Sequence, residues 1–181
     1  MTVRRRHIRA LAERLLLANR IETAPVDAKQ VAKSLGAEVQ YQPADENLSG
    51  FILRNRKRRS AIIGVNSNHH PNRQRFTIAH EVGHFLLHDH DDIHVDHMDC
   101  GLIVRRRNED SSKGEDDYEK EANLFAAELL MPAAFLEPDI AALEARNLLD
   151  DDVLHSLADK YGVSTQALTY RLAYLGYIQL S

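Results

Sequence analysis

The sequence predicts an α+β protein: a small, mainly antiparallel sheet flanked by helices, followed by a helical C-terminal part. Three observations carry this. Segments rich in β-branched and aromatic residues cluster within residues 37–67, and apolar residues recur at three- and four-residue spacing on either side of them. The 181 residues, 44% hydrophobic and 28% charged, have the size and composition of one soluble domain with its own core. A formal net charge of −4 argues against a chain built wholly for nucleic acid. Cys100 is the sole cysteine, which excludes an intrachain disulfide and thiolate metal clusters.

Residues 1–36 read as N-terminal helices. Ile8, Leu11, Leu15 and Ala18 mark the first. Its basic start resembles a signal peptide, but Glu13 and Arg14 interrupt any apolar run. No segment approaches the ~20 apolar residues of a membrane span, so a cytoplasmic location is expected. The second helix follows Pro25, with Asp27 as cap, Gln30 completing a capping box and Gly36 as the stop. Residues 37–67 form the small sheet: AEVQY, SGFIL and SAIIGVN, with the basic run RNRKRR (54–59) at a hairpin tip. Residues 72–132 hold two strong helices and an intervening polar loop over 88–118. The second helix, EKEANLFAAELLM, must end before Pro132. Residues 133–181 are helical and include LADKYGVSTQALTYRL, which resembles a helix-turn-helix.

The chemistry concentrates in RFTIAHEVGHFLLHDH. Ile78, Val82, Phe85 and Leu86 form a buried helical face, and His80 and His84 stack one turn apart, about 6 Å from each other. Two imidazoles so placed can bind one Zn2+. Glu81 is rotated about 100° from His80, too far round to ligate but well placed to act as a general base on the attacking water. This is the HExxH arrangement of zinc peptidases, in the helical context that chemistry requires.

A catalytic zinc site needs a third protein ligand. His90 has the spacing of a third histidine, but Leu87 stands where a glycine would turn the chain back. His88 lies about 12 Å along the helix axis from His80 and reads as a capping or supporting residue. The later helix offers Glu119, Glu121 and Glu128. A helical wheel sets Ala122, Asn123, Phe125, Ala126, Leu129 and Leu130 on one arc with Glu119, and Glu121 and Glu128 opposite. A carboxylate centred on an apolar face needs a compensating cation, so Glu119 is the expected ligand. Asn123, one turn on, can hydrogen-bond the free nitrogen of a ligating histidine.

RFTIAHEVGHFLLH followed by EANLFAAELLMP closely resembles the ImmA/IrrE family of metallo-endopeptidases. The resemblance extends from PVDAKQVAKSLGAEV through SGFI and AIIGVN to VSTQALTYRLAYLG. It implies a zincin-like domain with His80, His84 and Glu119 as ligands of Zn2+. It also implies amide hydrolysis with Glu81 as proton carrier, and protein substrates of the Xre-type helix-turn-helix repressor or antitoxin class. Tyr118 and His88 are both candidates to stabilise the oxyanion. The rival readings are a toxin with another target and a zinc-stabilised module that binds a regulator without cutting it.

The remaining signals have plainer readings. RNRKRR, HDHDDIHVDH and Arg105–Arg107 fit solvated loops. Cys100 fits a lone thiol. The helix-turn-helix-like segment offers only Arg171 as a cation in its second helix, so direct nucleic-acid binding is not expected.

Overall fold

A computed structural model of the chain describes residues 3–55, 60–88, 93–96, 112–143, 148 and 150–179. Along the chain these form α1 (Arg5–Ala18), α2 (Ala28–Ser34), β1 (Ala37–Gln42), β2 (Gly50–Asn55), β3 (Ser60–Asn66) and α3 (Pro71–Leu87). Then come β4 (Ile93–Asp96), α4 (Ser112–Leu130), α5 (Ala133–Ala141), α6 (Asp151–Tyr161) and α7 (Thr165–Tyr174). The fold is α+β, with a helical C-terminal part.

The buried face of α1 is Ile8, Ala12, Leu15 and Leu16, an i, i+4, i+7, i+8 stripe turned slightly from the expected one, so that Ala18 is exposed. Asp27 caps α2 by accepting from the backbone N–H groups of Lys29 and Gln30, at 2.9 and 3.0 Å. The expected capping box is only half formed, because the Gln30 side chain reaches the Asn19 carbonyl instead. Gly36 follows with φ of 80°, a conformation that glycine adopts without strain.

The sheet has the order β1-β3-β2-β4. β2 runs antiparallel to β3 and to β4, whereas β1 runs parallel to β3. β4 corrects the expectation of an unbroken polar loop over 88–118: Ile93–Asp96 forms a ladder with Gly50–Leu53. Its IHVD alternation was the available signal, outweighed by the surrounding acidic and histidine residues. The same expectation is corrected at its other end, since α4 begins at Ser112. His90, Cys100, Arg105–Arg107 and most of RNRKRR lie outside the described residues.

α3 is the centre of the molecule. The sequence suggests a one-sided apolar stripe, yet every residue from Thr77 to His84 is buried, because α3 is packed by β2 and β3, α2 and α4 together. Two glycines set its distance from its neighbours. A Cβ on Gly50 of β2 would lie 2.5 Å from Thr77 and 2.6 Å from the Gly64 carbonyl. A Cβ on Gly83 would meet the Ala122 backbone of α4 at 3.1 Å. Both close approaches need the missing side chain.

The C-terminal helices close the core from the other side. Gly162, with φ of 61°, ends α6, and Ser164 caps α7 through the Ala167 N–H. Leu168 and Leu172 are fully buried. Arg171 is buried too, donating to Glu128 at 2.6 Å and to the Met131 carbonyl at 2.9 Å. The one cation that this helix offered to a phosphate therefore faces the interior. No helix among the described residues is long and apolar enough to cross a membrane.

Candidate metal centre

Three donors from α3 and α4 converge. His80 and His84 approach with their Nε2 atoms 3.0 Å apart. The Glu119 carboxylate of α4 faces both, Oε2 3.3 Å from His80 Nε2 and Oε1 3.1 Å from His84 Nε2. These are the residues the sequence singles out as ligands, and among the described residues they form a group able to hold a metal ion. Glu119 is not at a frayed helix end, since α4 starts two turns earlier. Its side chain is 25% exposed, leaving one side of the cluster open to solvent.

The hydrogen bonds around the cluster show what it suits. His80 Nδ1 lies 2.9 Å from Asn123 Oδ1, an acceptor, so Nδ1 carries the proton and Nε2 presents a lone pair. His84 Nδ1 lies 3.1 Å from His88 Nδ1; because His88 Nε2 faces the Glu121 carboxylate, an acceptor, His88 accepts at Nδ1 and His84 Nδ1 donates. Two lone pairs and a carboxylate within 3.0–3.3 Å of one another repel unless a cation lies among them. Tetrahedral ligands about 2.0 Å from one ion stand about 3.3 Å apart, close to the edges seen here. The donor set therefore fits a divalent cation.

Asn123 lies against the His80 imidazole, one turn of α4 beyond Glu119. His88 is also beside the cluster, but both its ring nitrogens are engaged: Nδ1 with His84, Nε2 with Glu121 Oε2 at 3.2 Å. Tyr118 packs against it, ring centroids 4.5 Å apart. Burial holds the His88 imidazole below its ordinary pKa, against the opposing pull of the Glu121 hydrogen bond.

Glu121 is the residue the sequence reading missed. It lies on the face of α4 opposite Glu119, as the wheel requires, but that face packs against α1 and is not solvated. Burial pushes its carboxyl upward; hydrogen bonds from the Arg4 side chain and backbone and from His88 outweigh this and hold it at about 2. No local signal marks this face, because the partner is Arg4, 117 positions away.

Glu81 is fully buried on the side of α3 towards the sheet, where a Cβ on Gly50 would stand 3.8 Å from its Oε1. Arg54 of β2 donates to the His84 carbonyl and so ties the HExxH helix to the same strand.

A metal-binding HExxH helix completed by a glutamate from a second helix defines a class of metal-dependent peptidases. The family comparison is specific: residues 32–173 match the IrrE N-terminal-like domain, and the chain belongs to that metallopeptidase family, which implies a divalent metal. Two radiation response metalloproteases IrrE are similar. The one from Deinococcus radiodurans is 35% identical over 111 residues, which is 61% of this chain and 30% of the relative. The one from Deinococcus deserti is 35% identical over 112 residues, 62% of this chain and 36% of the relative. The matched part thus spans about a third of these relatives' length. A Mycobacterium tuberculosis transcriptional regulator has a similar fold, with a TM-score of 0.61 at 16% identity, covering 93% of this chain and 46% of that one.

Proposed function

We propose that residues 1–181 act as one zincin-like domain, a zinc-dependent endopeptidase that cuts a protein partner. The observation that carries this is the convergence of His80 Nε2, His84 Nε2 and the Glu119 carboxylate within 3.0–3.3 Å of one another. His80, His84 and Glu119 are the ligands of Zn2+. Held there, the ion would supply Lewis-acid chemistry, lowering the pKa of water from about 15.7 towards ~7.

The rest belongs to the chain. Glu81 takes the proton of the attacking water and returns it to the leaving amine. Asn123 and His88 hold the two imidazoles in the tautomer that leaves Nε2 free. Tyr118 and His88 are the two candidates to stabilise the oxyanion; both ring nitrogens of His88 are engaged, and the Tyr118 ring packs against it. The membership in a metallopeptidase family supports a protein substrate. Its class is an Xre-type helix-turn-helix repressor or antitoxin, acted on in the cytoplasm, as the resemblance of RFTIAHEVGHFLLH and EANLFAAELLMP to the ImmA/IrrE family suggests.

A second reading draws on one observation. Glu81 is fully buried, which suits a zinc-stabilised module that binds its regulator without cutting it. Glu81→Gln separates the two. With the zinc-loaded chain and a purified Xre-type partner, the substitution should keep the metal and lower cleavage about 10²–10⁴-fold. Release of the partner from its operator that persists undiminished in Glu81→Gln would sink the peptidase reading.

A further inference from the structure

The His84 imidazole ends a file of side chains that leads away from the metal centre to the start of α1. His84 Nδ1 is 3.1 Å from His88 Nδ1, and His88 Nε2 is 3.2 Å from Glu121 Oε2. Glu121 is clasped by Arg4 through the backbone N–H at 2.8 Å, Nε at 3.0 Å and Nη2 at 2.5 Å. Arg4 Nη2 also donates to the Leu87 carbonyl at 3.1 Å, the last residue of α3. Proton directions follow from the ends. With Nε2 of His84 turned to the ion, Nδ1 must donate; His88 then accepts at Nδ1 and donates from Nε2 to the Glu121 carboxylate. His80 differs, since its Nδ1 meets the neutral amide of Asn123.

We propose that Arg4, Glu121 and His88 are a positioning relay for His84: Arg4 and Glu121 fix the His88 ring, and His88 fixes the plane and tautomer of His84 and strengthens it as a donor. This rests on the reading of His80, His84 and Glu119 as the metal site. None of the three relay residues is itself a ligand. Arg4 precedes the segment that matches the family model, so α1 adds to the metal centre a support from outside residues 32–173. A purely structural Arg4–Glu121 pair would stabilise the packing of α1 on α4 and leave metal affinity alone.

The test uses the full chain and its Arg4→Met, Arg4→Lys, His88→Phe and Glu119→Ala variants. Zinc affinity is read by chelator competition, the visible spectrum of the cobalt-loaded protein reports ligand geometry, and melting of the metal-free chain reports packing. Arg4→Met and His88→Phe should bind zinc about 10–100-fold more weakly, with a displaced cobalt band, and Arg4→Lys should recover part of the loss. Affinities within twofold of the unaltered chain and an unchanged cobalt spectrum in both Arg4→Met and His88→Phe, whatever the melting temperatures, would overturn the relay alone. An unaltered chain that binds no zinc, or a Glu119→Ala chain that binds it equally, would overturn the metal-site reading and the relay with it.

Discussion

Glu119, Glu121 and Glu128 share one helix, yet each meets a different neighbour. Glu119 faces the α3 histidines, Glu121 faces Arg4 and His88, and Glu128 takes Arg171 at 2.6 Å and Arg9 at 3.4 Å. The wheel separates the first from the other two, and that much was legible. It cannot show that the opposite face is buried, because burial there is supplied by α1 and α7. The same limit hid the partners of Arg4 and Arg171, of which the sequence showed only a basic start and the one cation of the last helix. A buried tyrosine supplies a test away from the metal. Tyr161 donates to Asp139 Oδ2 at 2.8 Å, and burial together with that bond raises its pKa above the ordinary 10. A group whose folded pKa is raised stabilises fully below the unfolded pKa and loses that contribution as pH rises towards the folded one. Stability should therefore fall above about pH 10, and Tyr161→Phe should lack that alkaline loss. Denaturant midpoints from pH 8 to 11 decide it; parallel curves for the two proteins would contradict it.

At the scale of elements, the HExxH helix was legible in type and motif because its signals are local: apolar spacing and two histidines one turn apart. Its burial on all sides was not, since that comes from β2, α2 and α4 arriving from elsewhere in the chain. Gly83 is the sharpest consequence. It reads as a helix-weakening residue, but it stands against the Ala122 backbone, and it lets α4 bring Glu119 up to both histidines. Gly83→Ala should force the two helices apart by a few tenths of an ångström, destabilise the metal-free chain by about 1–3 kcal/mol and weaken zinc binding. Urea unfolding and chelator competition check the two effects. Stability gained with affinity unchanged, the ordinary result of removing a helical glycine, would show that the contact has slack.

At the scale of the whole molecule, the three donors sit on helices packed by other elements: α3 by β2, β3 and α2, and α4 by α1. The α+β class followed from local patterns, whereas the parallel β1–β3 pairing and the β4 ladder depend on strands that are not sequence neighbours. A cation held by the three donors would join α3 to α4, and so would stabilise the folded chain and not the unfolded one. Zinc at a hundred times its dissociation constant should add about 2.7 kcal/mol, seen as a higher melting temperature that chelator removes. Glu119→Ala should melt at the same temperature with and without zinc.

The central claim is that Glu119 completes the site begun by His80 and His84. Its most direct test is the zinc content of the purified chain beside Glu119→Ala and Glu121→Ala after equilibration with a slight excess of metal. One zinc per chain is expected in the unaltered protein and in Glu121→Ala, the latter held more loosely, and none in Glu119→Ala. Full retention in Glu119→Ala would contradict the account and move the third ligand to another residue.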